Sequence, residues 1–161
     1  MSEVKCGFEP LFNRDSKLLI LGSFPSVKSR KVEFYYGNPQ NRFWRVVSSF
    51  FGEGVPQGVQ DKKKFLLSHN IALWDIVTEC EISGSQDSTI KNFKVAELKT
   101  LLQNCDISYI ILNGATAYKI FEDNYGGMEI PYIKLPSTSP ANTRFCEKEW
   151  FDALSTAFDR T

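Results

Sequence analysis

The chain has no surplus of positive charge: 19 Lys and Arg residues stand against 19 Asp and Glu, for a formal net charge of zero. Proteins that wrap nucleic acid generally carry a basic excess, so the balance argues against wrapping and leaves contact with a few phosphates open. Cysteine is sparse and scattered. Cys6, Cys80, Cys105 and Cys146 form no Cys-x-x-Cys pair, which argues against zinc or an iron–sulfur cluster; no metal and no cofactor are expected. Cys80 and Cys105 read as ordinary thiols at element ends. Histidine occurs once, as His69 at a helix end, where a structural role is expected. No G-x-S-x-G elbow accompanies it, so serine-hydrolase chemistry has no support. The fingerprints G-x-x-x-x-G-K-[ST] and G-x-G-x-x-G are missing too, which disfavours a small-nucleotide module. No apolar run approaches a membrane span and no signal-peptide pattern opens the chain. A cytoplasmic protein without a membrane partner is expected. No repeat, low-complexity tract or linker is visible.

What is present suits one ordinary domain over residues 1–161, and a monomer is the expectation. Hydrophobic residues at 42% and charged residues at 24% are normal for a globular chain. Aromatics, with 13 Phe, 6 Tyr and 3 Trp, are abundant. Most suit a Phe-rich core; those inside polar loops have no core pattern to account for them. Charge is unevenly spread. Lys28, Arg30, Lys31, Arg42 and Arg45 face only Glu33 across their stretch, while the tail from Glu147 to Asp159 is acidic.

The residues predict strands alternating with helices. Residues 1–16 read as a lead-in, and Lys17–Ser23 as a buried strand stopping at Gly22-Ser23. Some twenty residues of loop follow, rich in Pro, Gly, Asn and Tyr; loops of that length tend to be functional. Helical spacing marks Phe43–Phe51, with Phe43 and Trp44 read as core. A second helix runs from Asp61, as N-cap candidate, to His69. Ile71–Val77 reads as a strand, Glu81–Asn92 as a mobile surface loop and Val95–Asn104 as a helix. Tyr109–Leu112 is a buried strand ending at Asn113-Gly114, followed by a helix over Thr116–Asn124. Tyr132–Leu135 is a strand leading into Pro136–Asn142, and Glu147–Phe158 is the last helix. This order predicts an α/β three-layer sandwich with a central parallel sheet of about four strands. Ligands of such sheets bind beyond the carboxyl ends of the strands. Three strand ends carry polar signatures, Gly22-Ser23, Asn113-Gly114 and Pro136-Ser137, and predict one composite site.

Gly22-Ser23-Phe24-Pro25-Ser26 reads either as a plain turn or as a loop whose backbone N–H groups face a ligand. Three blocks together carry a resemblance: GSFPS after a strand, YYGNPQNRFW downstream of it, and LPSTSPAN after a late strand. They resemble the uracil-DNA glycosylase superfamily, in particular its DNA-deoxyinosine (hypoxanthine-DNA) glycosylase branch, over about Lys17 to Phe158. Other branches place an Asn or Asp in the first motif to position the attacking water. Ser23-Phe24-Pro25-Ser26 has neither. That departure argues against strong ordinary uracil excision and suits the deoxyinosine branch, in which an Asn of the later loop takes over.

The resemblance implies a monofunctional, metal-independent DNA glycosylase that flips out a deaminated base and hydrolyses its N-glycosidic bond. Asn41 matches the water-positioning Asn, with Asn38 second; the alternative is that both bond their own loop backbone. Gly22, Ser23, Phe24, Tyr36 and Asn113 are implied at the base, with Tyr36 stacking on it. Phe24 has the core as its alternative, and Asn113 the cap of the next helix. Ser26, Arg42, Ser137, Thr138, Ser139, Asn142 and Arg144 are implied at the DNA backbone and the vacated stack. For Arg42, bracing the loop by a salt bridge stands equal with phosphate contact. Asp75 is a carboxylate without an assignment. Two rivals remain: a uracil or thymine mismatch glycosylase, and a catalytically silent binder of damaged DNA.

Overall fold

The structure is a computed structural model and describes residues 4–158; residues 1–3 of the lead-in and Asp159 of the acidic tail lie outside them. Among the described residues, seven strands form two sheets. The first comprises β1 (Val4–Cys6), β4 (Val77–Glu81) and β5 (Lys91–Val95), antiparallel in the order β1-β4-β5. The second comprises β2 (Leu18–Gly22), β3 (Ile71–Asp75), β6 (Tyr109–Asn113) and β7 (Tyr132–Leu135), parallel in the order β3-β2-β6-β7. Six helices accompany them: α1 (Val27–Val32), α2 (Phe43–Phe50), α3 (Gly58–Ser68), α4 (Leu98–Asn104), α5 (Ala115–Tyr125) and α6 (Glu147–Phe158).

The four-stranded parallel sheet has helices on both faces, as the alternation of elements predicts. β2 is central, and every one of its residues is buried. Because side chains alternate across a strand, Leu18 and Ile20 join one core with residues of α2, α3 and α6. Leu19 and Leu21 join the other, with residues of α4, α5 and the small sheet. Each fully buried Leu or Ile contributes roughly 1.5–3 kcal/mol, so β2 is the spine of both cores. Phe43 and Trp44 are buried as expected, with Trp150 of α6 meeting Phe43 edge-on. His69 stacks on Phe51 at 3.7 Å and meets Glu53 through Nε2, which is the structural role its position predicts.

Four expectations need correction. The long loop after β2 contains α1, capped by Ser26, whose hydroxyl accepts from Ser29 N–H at 3.1 Å. α3 begins at Gly58 rather than Asp61, which lies in its first turn, where the helix dipole favours a carboxylate. The strand expected over Ile71–Val77 breaks at Ile76 into β3 and β4, and β4 leaves the parallel sheet to build the small one. The predicted helix over Val95–Asn104 starts at Leu98, and Lys91–Val95 is instead β5. Its first four residues are exposed, so no alternation of buried and open positions marked it as a strand. The turn between β4 and β5 is also tied down: Arg30 Nη2 donates to the Gly84 carbonyl at 2.7 Å and Val27 N–H to the Ser85 hydroxyl at 2.8 Å. Among the described residues, no helix is long and apolar enough to cross a membrane.

Candidate active site

The site forms where β2, β3, β6 and β7 end. The chain leaves β2 toward β3 on one side and β6 toward β7 on the other, so the order reverses between β2 and β6. Open α/β sheets bind ligands at such a reversal, outside the carboxyl ends.

At the end of β2, Gly22 is the register partner of Asp75 at the end of β3. A β-carbon on residue 22 would stand 2.6 Å from Asp75 Oδ1 and 3.0 Å from the Tyr36 hydroxyl. Glycine is therefore required by the closeness of these two groups. Asp75 is 4% exposed, and its Oδ2 has no hydrogen-bond partner. Burial, and then the charge of Asp87, push its carboxyl up to about 7. The Tyr36 hydroxyl is likewise buried without a partner. Burial, then the charge of Asp75, drive the phenol well above its ordinary value. Tyr36 adopts φ 52°, a left-handed conformation, and its ring lies against Phe43 at 4.2 Å. Trp44 Nε1 fixes this kink by donating to the carbonyls of Tyr35 and Tyr36 at 3.3 and 3.2 Å.

At the end of β6, the Asn113 side chain reaches across to the late loop. Its Nδ2 donates to Thr138 Oγ1, and its Oδ1 accepts from Thr138 N–H, both at 3.0 Å. Thus Asn113 holds the loop after β7 and does not cap α5. Gly114, at φ 101°, makes the approach possible, because a side chain there would press on Ser137. Thr138 is fully buried and forms part of this frame. The rest of the loop bonds to itself. Ser137 Oγ accepts from Ser139 N–H, and Ser139 Oγ from Ala141 N–H. Asn142 Nδ2 donates to the Ser137 carbonyl, while its Oδ1 accepts from Arg144 N–H. The Arg144 residue itself is exposed.

Arg42 joins the two loops. Its N–H donates to the Thr138 carbonyl at 3.0 Å, and its Nη1 to the carbonyls of Ser139 and Asn142 at 3.1 and 3.0 Å. It braces as one alternative predicted, through carbonyls and not through a salt bridge, with Phe145 under the guanidinium. Beside it, Asn41 Oδ1 accepts from Phe43 N–H at the start of α2, and Asn38 Oδ1 from Gln40 N–H, both at 2.9 Å. Each oxygen keeps a second lone pair. Phe24 is 8% exposed and packs into the core under Arg30.

One residue of the site escaped the sequence. Ser23 Oγ donates to the Asp87 carboxylate, 2.9 Å from Oδ1 and 2.8 Å from Oδ2. Asp87 sits among serines in a polar stretch, and nothing local distinguishes it. Burial raises its carboxyl, against the hydroxyls of Ser23 and then Thr116, which favour the charge. The predicted residues thus fall into two sets of contacts, Gly22 with Tyr36 at the end of β2 and Asn113–Thr138–Arg42 across the loops, with Phe24 and Ser26 in supporting places.

The sequence pattern of the uracil DNA glycosylase superfamily matches residues 9–156. The chain is 38% identical over 152 residues to a hypoxanthine DNA glycosylase of Methanosarcina acetivorans, covering 91% of this chain and 96% of the relative. It is 30% identical over 142 residues to a hypoxanthine DNA glycosylase of Methanosarcina barkeri, covering 87% and 89%. In three dimensions it is similar to a solution NMR structure from Methanosarcina acetivorans, provisionally assigned as a uracil DNA glycosylase. That match has a TM-score of 0.85 at 34% identity, over 97% of this chain and 99% of the other. On the fold, the joined loops and these likenesses, the chain belongs to the uracil DNA glycosylase superfamily.

Proposed function

We propose that the protein removes hypoxanthine from deoxyinosine in DNA and leaves an abasic site. The family and the two relatives make it a DNA glycosylase, a hydrolase of N-glycosyl bonds acting on deaminated bases. One observation carries the choice of lesion: an acceptor, Asp75 Oδ2, and a donor, the Tyr36 hydroxyl, are buried near Gly22 without partners. Leaving such groups unsatisfied costs roughly 1–3 kcal/mol each, which a ligand with the complementary edge offsets. Hypoxanthine presents a ring N–H beside a carbonyl. Adenine presents a ring nitrogen acceptor beside an amine, the reverse order. Once ionised, as a carboxyl near 7 is above neutral pH, Asp75 accepts from the N–H while Tyr36 donates to the carbonyl, so the pair separates the deaminated base from its parent. A site that must satisfy buried polar groups discriminates strongly against a mismatched edge.

Uracil offers the same N–H beside a carbonyl and differs from cytosine in the same sense. The same two atoms therefore support uracil in mismatches as a second substrate.

In this reading the extruded nucleotide lies beyond β2 and β6, with Tyr36 against the base. Asn41 orients the water through its remaining lone pair, and the loop from Ser137 to Arg144 meets the flanking backbone. Asn38, Ser139, Asn142 and Arg144 stand on the DNA side of the braced loops, with Arg42 behind them. Hydrogen-bond donors on the leaving base stabilise its developing negative charge. Lys134 is an exposed residue of β7 lying over the Tyr118 ring, and the scheme uses no lysine nucleophile and ends at the abasic site.

The test is a panel of duplex oligonucleotides carrying hypoxanthine, uracil, xanthine or a thymine mismatch, scored by alkaline cleavage. Hypoxanthine is expected to give the fastest cleavage and uracil a slower one. Cleavage confined to uracil or thymine would overturn the choice of lesion.

A further inference from the structure

Departure of the base leaves positive charge on the sugar, and a neutral Asn does little to stabilise a cation. The first motif of this chain, where a water-positioning Asn or Asp is expected, holds only Ser23, Phe24, Pro25 and Ser26. Yet the structure delivers a carboxylate to that place from another segment. Asp87 opens a short 3-10 turn between β4 and β5, and both its oxygens lie within 3 Å of Ser23 Oγ, the residue following β2. The Thr116 hydroxyl at the start of α5, just past the end of β6, favours its charge. The carboxylate therefore lies just beyond the end of β2, one of the two strands between which the order reverses and a ligand belongs.

Asp87 is partly buried, and no Lys, Arg or His among the described residues forms a salt bridge with it. Asp75 lies close enough to feel its charge, and it too has no cationic partner. Arg30, on α1 after the first motif, gives its Nη2 to the Gly84 carbonyl. Buried carboxylates are ordinarily paired with a cation or a metal. Two of them left unpaired at the mouth of a parallel sheet form a site whose electrostatics suit a transient positive charge.

We propose that Asp87 is the anionic catalytic group of this chain, facing the cationic sugar and taking the proton of the attacking water. The inference rests on the glycosylase reading above. In the step, the bond between C1′ and the base nitrogen breaks and its electron pair leaves with the base. The water oxygen bonds to C1′, and the proton it sheds passes to the Asp87 carboxylate. The base anion takes a proton from solvent, which leaves neutral hypoxanthine, an abasic sugar and, after Asp87 releases its proton, the starting enzyme. Ser23 is a positioning residue in this scheme, since it holds the carboxylate and does not itself react.

The experiment compares wild type with Asp87→Asn, which keeps an acceptor for Ser23 and removes the charge. Two measurements are made on the full chain. In the first, single-turnover release of hypoxanthine from a deoxyinosine duplex is expected to fall at least 100-fold in Asp87→Asn, with duplex affinity within about 3-fold of wild type. In the second, affinity is measured for duplexes carrying either a protonated pyrrolidine or a neutral tetrahydrofuran in place of the abasic sugar. Wild type is expected to prefer the cationic sugar by at least 10-fold and Asp87→Asn to lose that preference. Retention of the preference by Asp87→Asn, its absence in wild type, or a variant within 3-fold of the wild-type release rate would overturn the assignment. The second measurement needs no turnover. A wild type inert toward every lesion but selective for the cationic sugar would thus count against the proposed lesion and for Asp87.

Discussion

Gly22 and Asp75 face each other as register partners on adjacent parallel strands, with no room for a methyl group between the glycine and the carboxylate. The Tyr36 hydroxyl closes the same space from the loop side. The proposed reading of the base depends on that closeness.

Replacing Gly22 with Ala inserts a carbon 2.6 Å from Asp75 Oδ1, a separation that neither backbone nor carboxylate tolerates unmoved. Overpacking of this kind costs roughly 1–3 kcal/mol. Urea denaturation is expected to show that loss, and base release is expected to fall further than stability, because Asp75 is displaced.

Tyr36→Phe removes a buried hydroxyl that has no partner and keeps the ring on Phe43. The variant is expected to be as stable as wild type or more stable, by up to about 1–3 kcal/mol. Its preference for hypoxanthine over adenine is expected to weaken. A thermal melt paired with competition between the two duplexes measures both, and a less stable variant would mean that the hydroxyl has a partner in solution.

Asp75 makes stability depend on pH. Its folded-state value of about 7 lies above the ordinary 3.8, so the native protein holds this proton more tightly than the unfolded chain does. The stabilisation is complete below about pH 4 and is lost as pH rises to about 7, at most roughly 4 kcal/mol at 1.36 kcal/mol per unit. Asp75→Asn removes this term. Urea midpoints at pH 5 and pH 8 are expected to differ less for the variant, and equal slopes for both proteins would place Asp75 in contact with water.

Arg42 lies between two loops with its guanidinium on backbone carbonyls. Arg42→Ala is expected to lower the melting temperature and slow base release. Each phosphate neutralised adds about 0.9 to the salt slope of duplex binding; a bracing Arg42 leaves that slope unchanged. A slope reduced by one would assign it to a phosphate instead.

The parallel sheet was legible because its strands are short apolar runs between helices, each bounded by Gly, Asn or Pro. The two loops were legible because polar, Pro-rich segments stood where such strands ended. The placing of the Tyr36 hydroxyl beside Gly22 was not legible, since the kink at Tyr36 is held by Trp44 bonding two carbonyls eight and nine residues back. The small sheet was hidden because β5 exposes its first four residues and pairs with irregular register. Asp87 was hidden for a related reason: its partner lies 64 residues away, and no local pattern encodes a contact of that range. Asn113 showed its importance but not its partner, because an amide at a strand end suits a base, a helix cap and a loop equally well.

Only Ile76 separates the strand that ends in Asp75 from the one that leads on to Asp87. The two acidic groups accordingly ride on one continuous ribbon, anchored where Ile76 and Val77 give their N–H groups to the carbonyls of Gly22 and Ser23. The solvent-facing rim formed by Lys91–Val95 hydrogen-bonds to that ribbon, so an outer edge of the molecule is tied by a single stretch of backbone to both charges.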